Sequence, residues 1–281
     1  MKLTAKEFRD WEHKRVTLVG MTGVGKTRVA SILRRHQWFH YSAAYRIGTR
    51  YLNEPILDNI KKQTMQVPFL RDLLRSDSIH ISNNITVDNL NPVTTFLGKL
   101  GDPEQGGLSD EEFKRRQKLY RKALAAAMRD VPGFISKAQR IYGYKHFVND
   151  TAGSVCELNR PDLIEQLAEH TLILYIRPTE KEEEDLLRQV DQALRPLCYR
   201  EQFLDAQLNA YLRERGLSYV AEIEPGNFYR WVLPTLYSDR VKRYEEIASR
   251  HGYTVAMDEF NSVRSEADFL RVTETALERD A

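Results

Sequence analysis

Gly20-Met21-Thr22-Gly23-Val24-Gly25-Lys26-Thr27 is the stretch on which the fold turns. It obeys the spacing G-x-x-x-x-G-K-[ST], whose glycines let the main chain turn tightly and lie close to an anion. The apolar run Val16-Thr17-Leu18-Val19 stands just before it and reads as a buried strand. Behind it, Val29, Ala30, Ile32 and Leu33 recur at helical spacing toward Arg34 and Arg35. Strand, glycine loop and helix in that order gather backbone N–H groups and a helix N-terminus around one site for phosphate. Gly20, Gly23, Val24 and Gly25 supply the loop, with Lys26 placed for the β- and γ-phosphates and Arg28 beside it. The Thr27 hydroxyl is placed for Mg²⁺.

The 281 residues can hold one large domain, or one domain with a substantial insertion. Apolar residues make up 42%, with 14 Tyr, 11 Phe and 3 Trp, which is enough to fill a core. The formal charge is +2, from 42 basic and 40 acidic residues, so nothing global points to nucleic acid or an anionic membrane. Cys156 and Cys198 have no metal-ligand spacing, and the histidines form no zinc motif. The start of the chain is charged rather than basic then apolar, which argues against a signal peptide. No apolar segment approaches bilayer length, so a cytoplasmic protein is expected.

Five short apolar runs read as strands: Val16–Val19, Trp38–Tyr41, His146–Asn149, Leu172–Ile176 and Tyr253–Met257. Helical segments lie between them, which implies a parallel sheet covered on both faces. Ser109-x-x-Glu112, Thr179-x-x-Glu182 and Ser265-x-x-Asp268 read as helix starts. Pro161 starts another helix, Val131-Pro132-Gly133 stops or bends one, and His251-Gly252 closes one. The region 47–144 is too long for one crossover helix and predicts a helical insertion. Gly98–Gly107 is the expected flexible loop.

Further stretches share one likeness. Residues 147–188 give a strand, the turn Thr151-Ala152-Gly153-Ser154-Val155, a helix, and a strand that ends before an acidic helix. Arg195-Pro196-Leu197 follows, with Arg188 seven positions before Arg195 (195 − 188 = 7). Then come Leu236–Tyr244, carrying Arg240 and Tyr244, and Val255-Ala256-Met257-Asp258 before a capped helix. Together with the loop, these stretches resemble the shikimate kinase group of small-molecule kinases over roughly 130 residues, in the order of a doubly wound nucleotide-binding fold. The resemblance implies that Gly153 and Arg240 hold substrate. It also implies that Arg195 belongs to a lid, and that Arg188 accompanies it on the nucleotide. The chain departs from the group after its second strand. There the group carries D-x-D, and this chain has Tyr41-Ser42-Ala43-Ala44-Tyr45-Arg46.

Asp150 stands at a strand end and is the carboxylate expected to hold Mg²⁺ or to take the proton of an attacking hydroxyl. Arg46 follows the second strand and is a candidate for an anionic acceptor. Phe228-Tyr229-Arg230-Trp231-Val232 reads as core. The expected architecture is an α/β P-loop NTPase fold in a single domain, 1–281. Its five-stranded parallel sheet has order 2-3-1-4-5, with helices on both faces and helical insertions. Residues 47–144 would form an acceptor-binding subdomain and 179–235 a lid region. The expected function is an ATP- and Mg²⁺-dependent phosphotransferase acting on a small molecule, with Lys26, Asp150 and Arg195 as catalytic groups. No N-K-x-D motif favours guanine over adenine. The alternatives are a regulatory switch ATPase that binds a protein partner, and a nucleotide kinase.

Overall fold

The five apolar runs become five strands of one sheet in the computed structural model, which describes residues 1–193 and 197–279. They are β1 (Arg15–Val19), β2 (Trp38–Ser42), β3 (His146–Asp150), β4 (Leu172–Arg177) and β5 (Gly252–Ala256). The order is β2-β3-β1-β4-β5 and every pairing is parallel, as expected from the sequence. Val16 lies opposite Val148 on one side and Leu172 on the other, so β1 is the centre of the sheet. Val16, Thr17, Leu18 and Val19 are all fully buried. Successive side chains of a strand point to opposite faces, so helices must cover both faces.

The glycine loop leaves the carboxyl end of β1, where the strand order reverses. That is where open sheets of this kind offer a crevice for ligands. The helix Lys26–Leu33 follows and packs on β2 and β3. The longest helix, Asn227–His251, runs along β4 and β5.

Local sequence explains the helix starts. The Thr179 N–H donates to the Glu182 carboxylate at 2.8 Å and the Glu182 N–H donates to the Thr179 hydroxyl, a complete capping box for Glu180–Ala193. Ser265 and Asp268 make the same reciprocal pair before Glu266–Arg279. Ser109 caps Asp110–Arg129 from one side only, because Glu112 turns away to Arg115 and Arg116. That helix stops at Arg129, and Pro132 stands in the first turn of the next, Val131–Arg140.

The region 47–144 is helical throughout its longer elements, but it is not wholly apart from the sheet. Tyr120, Leu124 and Met128 join the main core. A second apolar cluster joins Leu204, Leu208 and Tyr211 of the helix Glu201–Arg215 to Phe228, Val232, Leu100 and Phe113. The aromatic stretch at 228–232 thus supplies two of the residues of this second core. The segment 98–107 is tied down rather than loose: the Asp102 N–H donates to the Ile223 carbonyl at 2.8 Å and the Gly107 N–H to the Asp102 carbonyl at 2.8 Å. Among the described residues no helix is long and apolar enough to cross a membrane.

Candidate functional site

The site is built around the loop. Gly25 has φ 96°, in the region that favours glycine, and a Cβ there would lie 2.4 Å from Asn261 Oδ1. Lys26 opens the following helix and is buried, with Nζ donating to the carbonyls of Gly20 (2.8 Å) and Met21 (2.7 Å). Burial lowers its pKa to about 8, against the opposing pull of Asp150. Val24 is fully buried.

The Thr27 hydroxyl donates to Asp150 Oδ2 at 2.7 Å. Asp150 ends β3 directly beside β1, which is why residues 123 positions apart meet here. His40 Nε2 reaches the same oxygen at 3.4 Å from β2, and both side chains are almost wholly buried. A hydroxyl and a carboxylate oxygen side by side next to a phosphate loop suit Mg²⁺. This hard ion takes oxygen ligands from one or two protein groups and completes its shell with phosphate and water. Among the described residues no group of three His, Cys, Asp or Glu could hold a metal, so a cage made of protein alone is not on offer.

Gly153 closes the site from the other side. A Cβ on it would meet Thr22 Oγ1 at 2.3 Å and the Thr22 nitrogen at 2.6 Å, so only glycine lets this turn touch the loop. The Gly153 carbonyl accepts from Arg240 Nη1 at 3.3 Å. Arg240 is buried; its Nε donates to Glu157 Oε1 at 2.8 Å and its Nη2 to the Cys198 carbonyl at 2.5 Å. Burial opposes the charge on Arg240, but Glu157 and its neighbours outweigh it and raise the pKa. Glu157 Oε2 also accepts from the Nε of Arg200 at 3.1 Å, and Arg200 reaches Asp239.

One cavity of about 1000 Å³ runs from the loop past Asp150 and Arg240. Its far wall comes from the 47–144 region, through residues such as Asp88, Val93, Thr94 and Lys99, with Tyr120 and Leu236 between. Gly23, Gly25, Lys26, Thr27, Arg28, Asp150, Gly153 and Arg240 all line it.

Gly20 and Val24 of the loop do not line it, and two expected arginines lie away from it. Arg46 Nε is paired with Asp130 at 2.8 Å and its guanidinium lies over Phe134, so it braces the insertion instead of facing the cavity. Arg188 is exposed and pairs with Asp185 one turn away at 2.7 Å. Arg195 lies outside the described residues. Arg28 lines the cavity, but its Nη atoms donate to the Val263 and Phe260 carbonyls, which fastens the segment after β5 to the loop helix. The sequence reading missed His40, Glu157 and Asn261. His40 could have been found by alternation: with Ser42 opposite Asp150, the residue two back shares that face. Glu157 and Asn261 carry no local signal.

No protein-family model matches the chain, and no curated protein matches it. Among solved structures, it is similar to shikimate kinase from Bacteroides thetaiotaomicron, at 12% identity over 95% of each chain with a TM-score of 0.38. The five-stranded parallel sheet and the glycine loop at its central strand define the fold by themselves.

Proposed function

We propose that the protein is an ATP-dependent phosphotransferase that acts on a hydroxyl of a small molecule. One observation carries this reading: the Thr27–Asp150 pair and the loop open into a single cavity that continues for about 1000 Å³ onto walls unconnected with phosphate binding. A bound nucleotide would fill only part of that one cavity, and the remainder leaves room for an acceptor.

The loop amides and Lys26 would hold the triphosphate, with Thr27 and Asp150 on Mg²⁺. Bound there, Mg²⁺ would neutralise charge on the β- and γ-phosphates. In the reaction the acceptor oxygen forms a bond to the γ-phosphorus while the bond from that phosphorus to the bridging oxygen breaks. The electron pair leaves with ADP. The hydroxyl proton passes to the Asp150 carboxylate and then to water. The 47–144 wall would bind the acceptor, and the 179–235 region would close over it.

The test is transfer from γ-labelled Mg·ATP with and without a desalted small-molecule extract, with Lys26→Ala as the blank. A labelled compound that vanishes in Lys26→Ala supports the reading. Release of phosphate to water alone, unchanged by the extract, would replace it with a switch ATPase acting through a protein partner.

A further inference from the structure

The most unusual group in the cavity wall is an arginine whose charge is already answered from inside the protein. Arg240 is 3% exposed, and three of its N–H groups are committed: Nε to Glu157, Nη1 to the Gly153 carbonyl and Nη2 to the Cys198 carbonyl. The Glu157 side chain is 0% exposed, so its negative charge cannot turn away to solvent. Its second oxygen holds Arg200 at 3.1 Å, and Arg200 in turn is balanced by Asp239.

An anion brought to Arg240 would lose its hydration beside the fixed carboxylate of Glu157. Desolvation and like charge both act against it. The other charged lining groups are of both signs, Asp88 and Asp150 against Lys26, Arg28 and Lys99. Asp88 and Lys99 stand on the same far wall, one of each sign. Lys26 and Arg28 belong to the loop end, where the nucleotide phosphates sit, and Arg28 is already fastened to two carbonyls. The rest of the chamber is neutral, with Val93, Thr94, Leu97, Tyr120, Leu233 and Leu236 among its lining residues.

We infer that the phosphate acceptor is an uncharged hydroxyl compound, and that Glu157 sets this preference by neutralising Arg240. The inference rests on the phosphotransferase reading. A neutral acceptor that enters as R–OH leaves as its phosphate monoester, the proton going to Asp150 as above.

The experiment divides a desalted small-molecule extract into three pools on anion- and cation-exchange resins at pH 7. Each pool is incubated with γ-labelled Mg·ATP and the full chain, with Lys26→Ala as the blank. The expected result is a labelled product from the pool retained by neither resin, on the order of tenfold above the other two. A labelled product from the anionic or cationic pool that equals or exceeds that from the neutral pool overturns the inference and leaves the phosphotransferase reading standing. Phosphate released to water with no labelled compound from any pool overturns both. Glu157→Gln keeps the size of the side chain and removes its charge. It is expected to raise transfer to the anionic pool relative to the neutral pool on the order of tenfold. An unchanged ratio in a folded variant overturns the role of Glu157. If that variant fails to fold, the three wild-type pools still decide the charge of the acceptor.

Discussion

Removing both partners of the Glu157–Arg240 pair should cost less than the sum of removing each one alone. The pair is 2.8 Å apart, with side chains 0% and 3% exposed. Glu157→Leu would leave the Arg240 guanidinium buried with no counter-charge, and a broken buried pair costs about 3–5 kcal/mol. Arg240→Met would do the same to Glu157, but less severely, because Arg200 remains on the other oxygen at 3.1 Å. In the double variant both charges go and the volume is kept. Two carbonyls, of Cys198 and Gly153, lose a donor in that variant, at about 1–3 kcal/mol for each one left unsatisfied. The double variant should therefore remain less stable than the parent. It should still fall short of the sum of the singles by about 2 kcal/mol.

The assay is urea unfolding of the four proteins, followed by tryptophan fluorescence and by circular dichroism, with coincident transitions required before any free energy is compared. For a chain of this size a loss of 3–5 kcal/mol lowers Tm by roughly 10 °C, so a thermal scan gives an independent check. Additivity within about 0.5 kcal/mol would refute the reasoning, since it would mean that the two charges do not sense each other.

Three further outcomes follow from the geometry. Lys26 has a pKa lowered to about 8 by burial, so affinity for a fluorescent ATP analogue should fall about tenfold between pH 7 and pH 9 as the ammonium is lost. The same shift means that the unfolded chain holds this proton more tightly between about 8 and the ordinary 10.5, so the Lys26 contribution to stability rises with pH across that window. A Kd that is flat from pH 7 to 9 would remove Lys26 from the phosphate site. Gly153→Ala drives a methyl group into Thr22 and should destabilise by about 1–3 kcal/mol, with ATP affinity down on the order of tenfold. Gly133→Ala, in a helix with nothing within 4 Å of the new Cβ, should be stabilising by about 0.5–1 kcal/mol. Calorimetry and ATP titration separate the two. His40→Ala should weaken Mn²⁺ binding, measured by electron paramagnetic resonance in the presence of ATP, by about 10–100-fold, while His40→Gln, which keeps a donor, recovers part of it. Equal loss in both variants would make His40 a packing residue.

Much of the fold could be read from the chain because its signals are contiguous. The five apolar runs, the loop and the reciprocal pairs at Thr179–Glu182 and Ser265–Asp268 each occupy a few adjacent residues. The site was legible only where it shares that property. His40 and Asp150 are 110 positions apart, and Glu157 and Arg240 are 83 apart, so their meeting depends on strand order and helix packing. Arg46 shows the opposite case. Its place after β2 was read correctly, but its partner Asp130 comes from the far end of the insertion and takes the guanidinium away from the cavity. Arg188 was placed by its distance from Arg195, whereas helix direction decides where its side chain points, and that direction is toward solvent.

The end of β2 carries no acid, and the sheet order gives that fact a bearing on mechanism. β3 lies between β2 and β1, and Ser42 at the end of β2 is level with Asp150 at the end of β3. An acid at position 42 would start one strand farther from the loop, about 4.8 Å away across the sheet. Asp150 stands beside the central strand and touches Thr27 directly. Moving the carboxylate inward by one strand shortens its reach to a metal held by Thr27. It also leaves the end of β2 with a small hydroxyl side chain, Ser42, on the cavity wall. His40, two residues back on the same face, then braces the carboxylate from the side where an acid would otherwise repel it. On this arrangement an acid introduced at position 42 brings no gain. Ser42→Asp would set a second carboxylate against Asp150 and raise the pKa of one of the two. It should therefore lower transfer at neutral pH and shift its pH dependence upward, a result that a chain merely lacking an acid would not give.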